Sequence, residues 1–129
     1  MSAEEAPVEI VDNRERGRFE IRQEGKVIGL AAYAVVPASG ESPERIVFFH
    51  TEVDPEYEGQ GLAGRLAAYA LDTTIAAGRA IVAICPYIRA YLRRHPEPYA
   101  AHVAHATKAD VEAADRAVAA IAGGSGSDR

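Results

Sequence analysis

The sequence predicts a single α+β domain built on a mixed, mostly antiparallel sheet with one β-α-β crossover. Three observations carry that prediction. Four strand-like stretches joined by short turns fill the first part of the chain. A glycine loop, a helical stretch and a short apolar run follow in that order, which is the order of a parallel crossover. The length, 129 residues with 48% apolar and 26% charged, is enough for one core and too short for two ordinary domains.

Residues 1–7 read as a loose leader. "VEIVDN" (Val8 to Asn13) and "RFEIRQ" (Arg18 to Gln23) alternate apolar and polar residues around a charged, glycine-containing turn, the pattern of half-buried strands. Glu24-Gly25 turns the chain into "KVIGLAAYAVV", Lys26 to Val36, a longer and more apolar strand. "PASGESPE" is loop chemistry. "RIVFFHTEV", Arg45 to Val53, is rich in β-branched and aromatic residues, and Asp54-Pro55 ends it.

Leu62 to Ala77 then predicts a helix, with Leu62, Leu66, Tyr69, Ala70 and Thr73 at spacings of three and four along one side and Gly78 as the stop. "AIVAI", Ala80 to Ile84, is a short buried strand. Pro86 opens a short helix to Arg94, closed by His95-Pro96. The domain is expected over residues 8–103, with an alanine-rich C-terminal helix within 104–122 and a flexible tail over 123–129.

Composition removes several functions. A net charge of −5 argues against a general nucleic-acid binder, whose affinity rests on neutralising phosphates. No apolar stretch is long enough to span a membrane. The acidic start without a basic or apolar region and the single cysteine, Cys85, fit a cytoplasmic location.

"EGQGLAG", Glu58 to Gly64, has the spacing G-x-G-x-x-G of a dinucleotide fingerprint. Its context does not. A dinucleotide fold opens with its fingerprint on a parallel sheet and places an acid about 20 residues on. Here four strands come first, and no Asp or Glu follows the next strand until Glu97. What survives is a strand end, small residues and a helix start, whose free N–H groups and positive dipole end grip a pyrophosphate even in an acidic chain.

In that register Glu58-Gly59-Gln60-Gly61-Leu62-Ala63 resembles the [Q/R]-x-x-G-x-[G/A] pyrophosphate loop of the GNAT family of acetyl-CoA-dependent N-acetyltransferases. Gly61 and Ala63 match; Glu58 stands where Gln or Arg is usual, which puts the weight on backbone amides. "FFHTEVDPEYEGQGLAGRLAAYALD" followed by "CPYIRAYLRRHPEPY" is similar to the small YjdJ-type branch of that family, and the resemblance covers Phe19 to Tyr99. It implies a GNAT-like fold with acetyl-CoA as co-substrate. The pantetheine arm would lie between the strand ending in Val53 and the strand ending in Ile84, with the acetyl group near Glu52, Val53 and Cys85. The cofactor residues carried over are Val53, Gly59, Gln60, Gly61, Leu62, Ala63, Gly64, Arg65 and Arg94.

The candidates for chemistry follow. His50 and Glu52 are two apart on a strand, so both leave one face roughly 7 Å apart while Thr51 points the other way. Either serves as the base that takes a proton from an acceptor ammonium, or the two form an incidental pair on an exposed face. Cys85 precedes a helix start, a position that favours thiolate, and is either an acetyl-accepting nucleophile or a small buried hydrophobe. Tyr87 and Tyr91 are alternatives for protonating the departing thiolate, with Tyr91 preferred. Arg65, Arg93 and Arg94 suit phosphate, or in the last two cases a helix C-terminus. His102 and His105 are spaced i, i+3 without a second close pair, so no metal is expected.

The expected activity is acetyl transfer to an amine, a protein or peptide lysine among the candidates because only "NRERGR" separates the first two strands. A non-catalytic acyl-CoA-binding module and a thiol-based acyl carrier or thioesterase using Cys85 are the alternatives.

Overall fold

A computed structural model describes the backbone of residues 7–127 and the side chains of residues 7–121. Apart from Pro7, the expected leader lies outside the described residues, as do residues 128–129 of the expected tail. Five strands, β1 (Val8–Asn13), β2 (Arg18–Gln23), β3 (Lys26–Val36), β4 (Arg45–Val53) and β5 (Ala80–Ala83), form one sheet in sequence order. The first four pair antiparallel, and β4 pairs parallel with β5 through the crossover helix α1 (Leu62–Ala76). Then come α2 (Pro86–Arg94), the short kinked turn α3 (Pro96–Tyr99) and the long α4 (Lys108–Ser127). The expected strand limits hold for β1 to β4. The α+β class and the single crossover are as the sequence predicts.

One face of the sheet packs on α1 and α2. Phe19, Ile21, Ala31, Tyr33, Ile46 and Phe48 meet Leu62, Leu66, Ala70 and Ile88 in a continuous core. Here α1 is rotated slightly from the expected stripe. Ala67, Leu71 and Thr74 are buried, while Tyr69 remains 41% exposed. Small residues let the helix approach the sheet, and Tyr69 stays at the border, edge-on to Phe19 with ring centroids 6.1 Å apart.

The other face is covered by α4, where Ala113 and Ala114 pack on Ala34, Val47 and Val82. Thr107 and Asp110 form a capping box. The Asp110 carboxylate accepts from the Thr107 amide at 2.8 Å and hydroxyl at 2.9 Å, and the Asp110 amide donates back to Thr107 Oγ1 at 3.3 Å. The same carboxylate, fully buried, pairs with Arg45 of β4, whose Nη2 also donates to the His105 carbonyl at 2.9 Å. This pin lays α4 across the sheet. Its helical backbone runs into the glycine- and serine-rich stretch expected to be a loose end, since a nucleated helix gains one bond per added residue.

Candidate active site

The site begins where β4 and β5 part. Their ladder covers only Arg45–Phe48 against Ala80–Ala83. Beyond it the amides of Ile84 and Cys85 both donate to the Phe48 carbonyl, at 2.9 and 3.0 Å, and the chain turns into α2. From His50 to Val53 β4 pairs with β3 alone. The Asp54 amide donates inward to Ile28 at 2.8 Å, so strand alternation sends the Thr51 and Val53 amides to the open edge. An extended ligand can pair there as an added strand.

A bulge decides what each face of β4 offers. His50 pairs with Ala32 and Phe48 with Tyr33, leaving Phe49 as the extra residue. Phe48 therefore points into the core under α1, and both Phe49 and His50 point to the opposite face. Thr51 returns to the α1 side, and Glu52 follows His50. As the spacing predicts, His50 and Glu52 meet: Nε2 lies 2.7 Å from Oε1, with both side chains more than half exposed. Without the bulge they would project into the apolar core.

The glycine loop sits beside this edge. Gly59 and Gly61 have φ of 86° and 75°, a left-handed conformation that glycine adopts without strain. Gly61 is the N-cap of α1, and no side chain caps the helix. The first intrahelical bond is Arg65 N–H to the Gly61 carbonyl, so the amides of Leu62, Ala63 and Gly64 are free donors at a positive helix end. They open onto a cleft of about 420 Å³, lined by Val53, Gly59, Gly61, Leu62, Ala63 and Gly64 among others. Gly64 has room: a Cβ there would meet only Tyr87 Oη, at 3.9 Å. Packing therefore does not require a glycine at this position.

Glu58, an acidic residue, also lines the cleft. Gln60, Arg65 and Arg94 are exposed and outside the lining. Arg94 is close enough for its charge to act on the Tyr87 phenol, which burial pushes up from its ordinary range. Tyr87 lines the cleft. Tyr91 does not: it packs on His95, ring centroids 4.4 Å apart, and on Tyr99, whose hydroxyl donates to Asp72. The two tyrosines share one face of α2 a turn apart, so the first reaches the cleft while the second packs in an aromatic cluster with His95 and Tyr99.

Cys85 is the N-cap of α2 and only 3% exposed; its thiol donates to Thr51 Oγ1 at 3.4 Å. Among the described residues no three His, Cys, Asp or Glu side chains gather as a metal site. No helix among them is long and apolar enough to cross a membrane.

A second, larger cavity of about 820 Å³ lies on the opposite face of the sheet. Its floor holds Leu30, Ala32, His50 and Glu52, one wall is the β1–β2 turn, and the other is α4 at Val118 and Ile121. Glu52 lines both cavities. The α4 wall is the part sequence reasoning missed. The T-x-x-D capping box at Thr107 marks where the expected helix begins, not which face of the sheet it covers.

Residues 18–103 match the family model described as GCN5-related N-acetyl-transferase. The chain is 31% identical over 96 residues to Protein NATD1 of Gallus gallus and of Mus musculus, covering 71% of this chain and 80% of each relative. A solved aminoglycoside acetyltransferase from an uncultured soil metagenomic sample, in complex with trehalose, aligns with a TM-score of 0.46 and 18% identity. That alignment covers 76% of this chain and 51% of the other, so this chain spans about half of that protein. With its family model matched from β2 through β5, the glycine loop and α2, the chain belongs to the GCN5-related N-acetyl-transferase family.

Proposed function

We propose that this chain is an acetyl-CoA-dependent N-acetyltransferase, with the glycine loop as pyrophosphate cradle and Glu52 as the base. The observation that carries the proposal is the position of Glu52, shared by the loop cleft and by the cavity across the strand. Glu52 thus sits on the strand that divides a co-substrate on the loop side from an acceptor on the side its carboxylate faces.

The residues present fit the co-substrate. Main-chain donors from Gly59 to Gly64 suit a pyrophosphate, and the open edge of β4 suits an amide-bearing arm. Acetyl-CoA supplies an acetyl group activated as a thioester. Val53 N–H is the donor available to polarise its carbonyl. Glu52, hydrogen-bonded to His50, removes the proton from the acceptor ammonium so that the nitrogen lone pair can form the new C–N bond. The C–S bond breaks, and Tyr87 is placed to return a proton to the sulfur. Cys85, buried and hydrogen-bonded to Thr51, acts in packing.

The experiment is mass spectrometry and thiol release after mixing the protein with acetyl-CoA and a set of primary amines. Acetylated amine with an unmodified protein is the expected result. An acetyl adduct on the wild type that Cys85→Ser abolishes would replace this mechanism with the thiol route. Saturable binding with neither product would leave a binding module.

A further inference from the structure

The cavity opposite the loop carries information about the acceptor, on the acetyl-transfer reading above. Its floor is two cross-strand rows. Arg18, Ala32 and His50 are register partners in one, and Glu20, Leu30 and Glu52 in the other. The β4 end of each row holds the reactive pair. The middle is small and apolar. The β2 end is sealed: Glu20 is 1% exposed and takes hydrogen bonds from Arg18, Arg22 and Asn13. Two strand spacings separate the ends, about 10 Å.

Above this floor the walls differ in character. Phe49, Val118 and Ile121 make one side apolar. The β1–β2 turn makes the far side basic, with Arg14 and Arg16 exposed around the single carboxylate of Glu15. Arg14 touches Asp12 only at 3.8 Å, and no described residue forms an ion pair with Arg16. Both walls, residues 14–17 and 117–121, lie outside residues 18–103 that match the family, whereas His50 and Glu52 lie inside them. The reacting end therefore lies within the span shared with the family model, and the arginine turn lies outside it. An ammonium belongs at Glu52, a methylene stem over Leu30 and Ala32, and an anion at the arginine turn. A second ammonium at that end would meet like charge.

We infer that the acceptor is a small primary amine with a carboxylate at its far end, its two charged ends set apart by an apolar stem to suit a floor about 10 Å across. Polyamines and other polycationic amines are the class this cavity rejects.

The test uses 6-aminohexanoate, hexylamine and 1,6-diaminohexane, which share an amine and a six-carbon chain and differ in far-end charge. Thiol release from acetyl-CoA gives kcat/KM for each, and calorimetry with coenzyme A is run on the same protein. An exposed charge contact is worth about two- to fivefold, so 6-aminohexanoate is expected to exceed hexylamine by that factor and the diamine by more. In Arg16→Ala the ratio of 6-aminohexanoate to hexylamine falls toward one. The turn itself is held by main-chain bonds from Arg16 and Gly17 and by Asn13, which the substitution leaves in place. Equal rates, or a diamine preference, overturn the inference. Coenzyme A binding without turnover of any of the three overturns it too, and leaves the cofactor reading intact. No coenzyme A binding overturns both.

Discussion

Gly64→Ala should raise the stability of the free protein and weaken coenzyme A binding, two effects of opposite sign from one methyl group. Gly64 is the third residue of α1 and has an ordinary helical backbone, so alanine there removes glycine's entropic cost. That is worth about 0.5–1 kcal/mol. The new Cβ meets no atom closer than 3.9 Å, so no packing strain offsets the gain. For a chain of this length the melting temperature should rise by about 2–5 °C. The same Cβ, however, is added to a residue lining the cleft onto which the free amides open, where the proposed pyrophosphate would sit. Crowding a fitted contact costs about 1–3 kcal/mol, or about tenfold or more in affinity. Thermal unfolding without ligand and calorimetry with coenzyme A measure the two halves separately. A fall in stability would mean the helix start is packed differently. A rise in stability with unchanged affinity would mean the ligand does not approach this backbone, and the reasoning about the loop would fail.

Other substitutions test neighbouring parts of the account. Glu58→Gln removes the carboxylate that shares the cleft with the phosphate donors; coenzyme A should bind about two- to fivefold tighter, and weaker binding would count against a phosphate at this spot. Glu52→Gln should lower the acetylation rate about 100-fold or more with coenzyme A still bound, whereas a rate within a few-fold of wild type would remove Glu52 as the base. Asp110→Asn leaves the Arg45 guanidinium buried without its counter-charge and should cost about 3 kcal/mol by urea unfolding. The acid limb follows from the same pair. Burial pushes the Asp110 carboxyl up, but the hydrogen bonds from Arg45 and Thr107 outweigh it and hold it below the usual carboxylate range, as Arg22, Arg18 and Asn13 do for Glu20. Folding thus favours the ionised forms, so their contribution is full above the ordinary carboxylate pKa and is lost as pH falls below about 4. The urea midpoint should be flat from neutral pH into the mildly acidic range and then drop, with a shallower drop in Asp110→Asn; a wild-type midpoint unchanged at pH 3 would contradict this.

Much of the fold was legible because its signals are local. Alternation in "RFEIRQ" and the β-branched run "RIVFFHTEV" mark strands whatever lies around them, and the glycines mark the loop. The face shared by His50 and Glu52 follows from a period of two. The bulge at Phe49 does not, because it breaks that period without altering composition, and it decides which side of the sheet the pair serves. The docking of α4 was also hidden. Its anchor joins Arg45 to Asp110, 65 positions apart, and its contact face is alanine, which signals a helix but not what it covers. Tyr87 and Tyr91 are four apart on one helix, so sequence spacing alone could not separate the residue at the cleft from the one stacked on His95.

The central claim is that main-chain donors at the start of α1 hold the nucleotide carrier, and amide-resolved NMR during a titration with coenzyme A tests it most directly. The amide resonances of Gly59, Gly61, Leu62, Ala63 and Gly64 should move together, downfield and saturably, as their free N–H groups gain acceptors. Perturbation confined to other parts of the chain, or no change at millimolar ligand, would contradict it.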